Sequence, residues 1–255
     1  MKLKILKHSL LDAPGSSSVI FFPKCNMACP YCHNVDLWNG NESEDDYTVD
    51  AAIDYMGSRI RVGPHGQFLE VDWMTFSGGE PTLQPEVLKD TLKRAKWLGF
   101  KTCLYTNGTA DKCDELLSDV LRRDLLDAVN LDLKWDLHHP QFGYTEWTRW
   151  HTSFMTLKGA LDMSKISHLR INTTVMKSYH TSEVMRNIKN LIWRTSYQRY
   201  PTIAIRRGSP WEPGFTWSIE PFFNDGGKVK TLGDLAPSES PTQYDLKKIL
   251  LDLKG

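Results

Sequence analysis

Apolar residues recur along this chain in two rhythms. Short runs rich in β-branched and aromatic residues read as strands: "SVIFF" (18–22), "VDWMTFS" (71–77), "KTCLYT" (101–106), "AVNLDLK" (128–134), "LRINTTVM" (169–176) and "TIAIR" (202–206). Between them the apolar spacing lengthens to that of a helix. The stretch from Pro85 to Leu98 places proline at a first helical position, repeats Val87, Leu88, Leu92 and Ala95, and stops at Gly99. Further helices are expected over 49–61, 110–124, 181–197 and 242–254, the last opening on Thr242 as N-cap with Asp245 following in the first turn. Strands alternating with helices predict βα units around a parallel sheet, an α/β fold, and the length suits a single domain over 1–255.

Two segments fit neither rhythm. Residues 135–156, with three tryptophans and the adjacent His138 and His139, and residues 207–240, rich in Gly, Pro and aromatics, read as irregular. Long loops in a compact domain act as lids or partner-binding segments. The "NDGG" of the second would also suit a tight hairpin turn.

The period of two inside the strands adds a clue. One face of "AVNLDLK" carries Ala128, Asn130, Asp132 and Lys134, and one face of "LRINTTVM" carries Arg170, Asn172 and Thr174. A parallel strand covered on both sides is nearly all apolar. Polar residues on one face of two successive strands imply a shared polar interior, as at the open end of a barrel where ligands bind.

Composition narrows the functional classes. Hydrophobic residues make up 40% and charged residues 24%, and Lys+Arg equals Asp+Glu at 31 each, so no electrostatic argument favours nucleic acid or an anionic membrane. The first 22 residues have apolar runs broken by His8, Asp12 and a serine cluster, which leaves no signal-peptide core. No run approaches the roughly 18 apolar residues of a membrane span, and the chain reads as cytoplasmic. There, five cysteines with three clustered point to a metal or redox site.

The cluster is Cys25, Cys29 and Cys32 in "FFPKCNMACPYCHN", directly after a strand. Thiolates at this spacing can wrap one metal centre, and two centres compete. Zinc would take His33 as fourth ligand; a [4Fe–4S] cluster would leave one iron open. His33 directly follows Cys32, which makes joint tetrahedral ligation awkward and favours iron and sulfur. Cys103 and Cys113 read as buried thiols, and His138 and His139 as solvated loop residues. "TFSGGEPTLQ" then sets Gly78, Gly79 and Glu80 at the end of a strand, where bare backbone can approach a ligand and a carboxylate can accept from an amine.

Together these residues resemble the radical S-adenosylmethionine (SAM) superfamily, and within it the glycyl-radical-enzyme activases. "DAPGSSSVIFFPKCNMACPYCHN", "CLYTNG" (103–108), "NLDLK" (130–134) and "RINTTV" (170–175) follow the family's order, so the likeness covers roughly residues 8–180. The resemblance implies a partial (βα)6 TIM-like barrel. It also implies that Cys25, Cys29 and Cys32 ligate a [4Fe–4S] cluster whose fourth iron is chelated by SAM. By the same resemblance Tyr31, Cys32 and His33 sit beside the adenine, and Gly78, Gly79 and Glu80 meet the methionine amine. Asp132, Lys134 and Arg170 contact its polar groups or the ribose, with Thr106 and Asn107 nearby. The chemistry implied is reductive cleavage of SAM, with an electron from a flavodoxin or ferredoxin, to a radical that takes hydrogen from a glycine of a partner enzyme. No acid or base residue is required.

The absence of cysteines for a second cluster narrows the implied partner, a glycyl radical enzyme, to anaerobic ribonucleotide reductase first and pyruvate formate-lyase second. A radical SAM enzyme acting on a small molecule or peptide would share every motif. The chain departs from the activase pattern in four places. Ser17 stands for a common arginine, Lys24 for a glycine, and Tyr105 for an aspartate that helps hold a monovalent cation, so no such cation is expected. A late SAM-contacting histidine has no match, and Arg206 or Arg207 is the nearest substitute.

Overall fold

The chain opens on an antiparallel pair, β1 (Lys2–Ser9) and β2 (Ser17–Phe22), in register at Ile5 and Ile20. In this computed structural model residues 1–40, 47–63, 66–196, 202–205, 214–222 and 240–254 are described. After β2 come α1 (Val35–Trp38), β3 (Tyr47–Thr48), α2 (Val49–Ser58), the small hairpin of β4 (Ile60–Gly63) and β5 (Gly66–Leu69), and β6 (Trp73–Gly78). Next are α3 (Pro85–Trp97), β7 (Lys101–Thr106), α4 (Cys113–Arg122), β8 (Ala128–Asp132), α5 (Tyr144–Asp162), β9 (His168–Val175) and α6 (Ser182–Thr195). The chain closes with β10 (Thr202–Ile205), β11 (Gly214–Pro221) and α7 (Gln243–Lys254).

The main sheet runs β10-β11-β9-β8-β7-β6-β2-β1-β3. Every pairing from β2 to β10 is parallel, and β1 and β3 extend the other edge antiparallel. The consecutive parallel strands β2, β6, β7, β8, β9 and β11 form the partial (βα)6 barrel. Its ends curve toward each other, for the ring of His33, beyond β2, lies 5.6 Å from that of Phe222, beyond β11. No helix of the described residues is long and apolar enough to cross a membrane.

Local chemistry explains most element ends. Thr48 caps α2 by accepting from Ala51 N–H (3.1 Å), and Thr181 caps α6 by accepting from Val184 N–H (3.3 Å). At α7 the expected box forms: Asp245 Oδ2 accepts from Thr242 N–H (2.8 Å) while Thr242 Oγ1 accepts from Asp245 N–H (3.2 Å).

Three expectations are corrected. Residues 144–162, mostly within the supposed irregular stretch 135–156, are helix. Trp147, Trp150, Phe154 and Leu157 recur at helical spacing and pack inward, with Trp150 and Phe154 stacked at 5.3 Å, and Glu146 caps the start by accepting from Gly143 N–H (3.0 Å). Within 207–240, residues 214–221 are a strand that pairs with β9 along its whole length. The sixth barrel strand is therefore β11, and the expected "TIAIR" strand lies outside it on the sheet edge. His139 is not a solvated loop residue: its ring stacks on Trp135 at 3.8 Å and 4°. The hairpin around "NDGG" and the arginines 206 and 207 lie outside the described residues. Cys103 and Cys113 are buried, as expected.

Candidate active site

Beyond β2 the chain passes through Lys24, held at φ 66°, into the cysteine loop. This loop sits directly on the end of β6, where Gly79 N–H donates to Phe22 O (2.8 Å) and Glu80 N–H to Lys24 O (2.7 Å). Only glycine permits this approach. A Cβ on Gly78, itself at φ +119°, would meet Phe22 backbone at 2.4 Å, and one on Gly79 would meet Lys24 O at 2.0 Å. Further anchors hold the loop from the other side: Gln141 exchanges two hydrogen bonds with the Ala28 backbone (3.0 and 3.1 Å), and Trp38 Nε1 donates to Met27 O (2.8 Å).

The loop roofs a cavity of about 350 Å³ at the C-terminal end of the parallel strands. Cys25, Cys29, Cys32, Tyr31 and His33 line it from above and Gly78, Gly79 and Glu80 from β6. Thr106 and Asn107 line it from β7, and Asp132 and Lys134 from β8. Arg170 is the predicted site residue that does not reach the lining. It is buried beneath, with Nε donating to Asn130 Oδ1 (2.9 Å) and Nη2 to Glu220 Oε1 (3.1 Å).

Sequence reasoning missed Glu220 and Phe222, which complete the far wall together with Thr174, a residue the strand periodicity had set in the polar interior. The signal was present. In β11, Thr216, Ser218 and Glu220 alternate with the buried Trp217 and Ile219, the same polar-inside pattern seen in β8 and β9.

Electrostatics differ around the cavity. Glu80 is buried and accepts from Thr82 N–H (3.0 Å), Thr82 Oγ1 (2.6 Å), Thr106 Oγ1 (2.7 Å) and Asn107 N–H (2.7 Å); burial pushes its pKa up and these donors oppose the rise. Lys134 Nζ donates to Asp132 Oδ2 (2.6 Å). Burial disfavours its charge, but Asp132, Tyr31 and Cys29 prevail and hold it well above the ordinary lysine range. Lys134 is also fixed from behind: its carbonyl faces His180 Nε2 (2.9 Å), whose Nδ1 accepts from Met176 N–H (3.0 Å), so His180 is neutral with its proton on Nε2. Burial pushes His180 down to about 4, and its ring stacks on Trp135.

The three thiols are of the donor type an iron–sulfur cluster takes, although the described residues hold no group of three or more His, Cys, Asp or Glu drawn close enough to bind a single metal ion. All three are free, and they share one cavity mouth. Met27 N–H points at Cys25 Sγ (3.5 Å) and Asn107 Nδ2 lies 3.9 Å from it, the kind of N–H to sulfur contact that tunes iron–sulfur centres. Burial pushes Cys25 up to about 12 and Cys29 up to about 11, so both stay protonated until an electron-poor centre displaces the protons.

A model of the radical SAM superfamily matches residues 19–191, more than half of the chain, and the chain belongs to that superfamily. Its members use a [4Fe–4S] cluster and S-adenosylmethionine. Among curated relatives, the pyruvate formate-lyase 1-activating enzyme of Escherichia coli (strain K12) is 34% identical over 124 residues, 49% of this chain and 48% of that one. The pyruvate formate-lyase-activating enzyme of Clostridium pasteurianum is 36% identical over 129 residues, again 49% and 48%. The chain thus spans about half the length of the curated relatives it matches. The solved structure of TYW1 with a lysine-pyruvate adduct bound superposes with a TM-score of 0.54 over 93% of this chain and 72% of that one; at 15% identity this is a likeness of fold.

Proposed function

We propose that this chain is a radical SAM activase of a glycyl radical enzyme, with Cys25, Cys29 and Cys32 holding the cluster and SAM completing its open iron. The observation that carries this reading is the convergence in one cavity of the three thiols, Gly78–Gly79–Glu80 and the Asp132–Lys134 pair. A cluster held by Cys25, Cys29 and Cys32 would supply the one-electron chemistry for reductive cleavage of SAM, which in turn would serve hydrogen-atom removal from a glycine of the partner. The chain's own residues bind, orient and exclude water. Tyr31 and His33 flank the adenine, and the bare backbone of Gly78 and Gly79 receives the amino group beside Glu80. Lys134, held by Asp132 and His180, offers a fixed cation to the cosubstrate carboxylate. Thr106 and Asn107 close the β7 side.

The partner is anaerobic ribonucleotide reductase, on the form of "TFSGGEPTLQ" and "RINTTV". The identity to pyruvate formate-lyase-activating enzymes favours a second reading, with that lyase as partner. A cytoplasmic flavodoxin or ferredoxin serves as electron donor under anaerobic conditions.

The test is made on protein reconstituted without oxygen and reduced with dithionite. Addition of SAM is expected to change the cluster's electron paramagnetic resonance signal and to yield 5′-deoxyadenosine, and a glycyl radical signal on mixing with either partner identifies it. Turnover of a free small molecule without any such enzyme would overturn the activase reading. Cys29→Ala is expected to abolish SAM cleavage with the circular dichroism of the barrel unchanged; retained cleavage would overturn the cluster assignment.

A further inference from the structure

We infer that a second cavity, beside the active one, binds a basic residue of the protein partner, with Asp136 and Glu183 taking its charge and Trp135 its backbone carbonyl. The identity of that partner rests on the activase reading above; the site itself does not. The cavity measures about 310 Å³ and lies between the segment after Lys134 and the first turns of α6. Trp135, Asp136, His139, Tyr179, Glu183 and Asn187 wall it, and no lysine or arginine lines it among the described residues. Its size is at the lower end for ligand pockets, enough for one long side chain.

Two groups on this wall lack a counterpart. Asp136 is 4% exposed, and its carboxylate accepts from neutral donors, His138 N–H (3.2 Å) and Asn187 Nδ2 (2.8 Å), with no lysine or arginine paired to it among the described residues. A carboxylate has room for about four such bonds, and burying one without a cation is costly. Trp135 is 1% exposed, and its Nε1–H has no acceptor among the described residues. The near-parallel imidazoles of His139 (3.8 Å, 4°) and His180 (5.4 Å, 15°) stack on its ring, so the indole meets the cavity by its edge, the part that carries Nε1. A missing cation and a missing acceptor on one wall define a ligand that brings both, as a basic residue within a chain does. Glu183, in the first turn of α6, adds a second carboxylate. His139 and Tyr179, 5.7 Å apart and tilted by 52°, offer ring surface to a flat guanidinium, and burial pushes His139 below the usual histidine range, so its ring adds no competing charge near pH 7. Two observations favour a polypeptide over a free amine. Leu137 and Tyr179 are 42% and 41% exposed, apolar surface that a bound chain would cover. Trp135 also meets Tyr31 at 5.6 Å, and Tyr31 lines the active cavity, so a chain entering there passes next to this site.

The test titrates the capped peptide Gly-Arg-Gly, and the same peptide with citrulline for arginine, into the reconstituted full chain with its cluster oxidised. Nuclear magnetic resonance follows the indole N–H of Trp135, assigned through Trp135→Phe. The arginine peptide is expected to shift that signal, and citrulline, of like shape without the charge, to bind about tenfold or more weakly. Asp136→Asn should abolish this preference. Glu183→Gln, at an exposed position that leaves folding intact, should reduce it. In assays with the two candidate partner enzymes, Glu183→Gln should raise KM for the one activated, with kcat and the yield of 5′-deoxyadenosine from SAM alone unchanged. Equal binding of the two peptides, or no shift at the indole, would overturn the site. Selective arginine binding with KM unchanged in Glu183→Gln would overturn its role in docking. A chain that binds arginine selectively yet activates neither enzyme would overturn the activase reading and leave the cation site standing.

Discussion

Two carboxylates face the cavity from opposite ends of the half-barrel, and the chain treats them differently. Glu80, on the β6 side, has both oxygens engaged by backbone and threonine donors and is 1% exposed. Glu220, on the β11 side, lines the cavity with one oxygen held and, among the described residues, no donor to the other. An acceptor saturated by its own protein welds segments together, here the β6 turn to the β7 loop. An acceptor half satisfied has capacity left for a ligand. The motif-bearing wall is thus built as scaffold first, and the wall without a motif retains the spare hydrogen-bonding capacity.

Replacing each carboxylate by its isosteric amide breaks this comparison open, and Glu80→Gln carries the largest expected effect. Whichever way the amide turns, its NH2 faces a donor: Asn107 N–H on one side, or Thr82 N–H on the other. At least one buried backbone N–H loses its acceptor, at about 1–3 kcal/mol, and charge-assisted bonds are lost as well. A destabilisation of about 3 kcal/mol is expected in urea unfolding of the cluster-free chain. Stability equal to the wild type would show that Glu80 serves a ligand amine and not the scaffold.

The two walls also differ in how they could be read in advance. The strands β2, β6, β7, β8 and β9 were legible because each is a dense apolar run, and the period of two in β8 and β9 placed Asn130, Asp132, Arg170 and Asn172 in one polar interior. Their contacts bear that out: Arg170 on Asn130, and Asn130 and Asn172 on Asp132. The cysteine and Gly-Gly-Glu segments were legible because their chemistry tolerates few alternatives. β11 was hidden because its alternation lasts only eight residues between glycine- and proline-rich neighbours. α5 was hidden because its tryptophans looked like loop residues, although Trp150 Nε1 ties it to Asp132 O at 2.9 Å. The placement of Arg170 beneath the lining could not be read at all, since a period of two assigns a face and not a depth.

A second effect of intermediate size belongs to the backing of Lys134. His180 is neutral in the fold, with a pKa near 4 against 6.5 when exposed. Unfolded chains therefore bind a proton that the fold refuses between those values. The stability this group contributes is present above pH 6.5 and is lost as pH falls toward 4, by about 2 kcal/mol at pH 5. His139 across Trp135 and the nearby Asp136 act on the same imidazole in opposite senses. Glu80 and Glu220, raised by burial, shift the slope the other way. The comparison is therefore between wild type and His180→Gln, which keeps a donor for Lys134 O and an acceptor for Met176 N–H. The difference in unfolding free energy between pH 7 and pH 5 should shrink by that amount in the variant; an unchanged difference would mean that His180 titrates freely.

The smallest expected effect completes the comparison. Glu220→Gln can place its amide oxygen where Oε1 stands, still accepting from Arg170 and Ser218, and turn its NH2 toward the cavity, where water can receive it. What is lost is the ionic character of one bond to Arg170, offset in part because a carboxylate already raised by burial is no longer desolvated. Unfolding of the cluster-free variant should therefore lie within about 1 kcal/mol of the wild type, where Glu80→Gln falls well outside that range. If the two amides destabilise the chain equally, both carboxylates are scaffold and the spare oxygen of Glu220 is not reserved for a ligand. If only Glu80→Gln does, the same one-atom change separates a residue that holds the barrel from one that serves what the barrel binds.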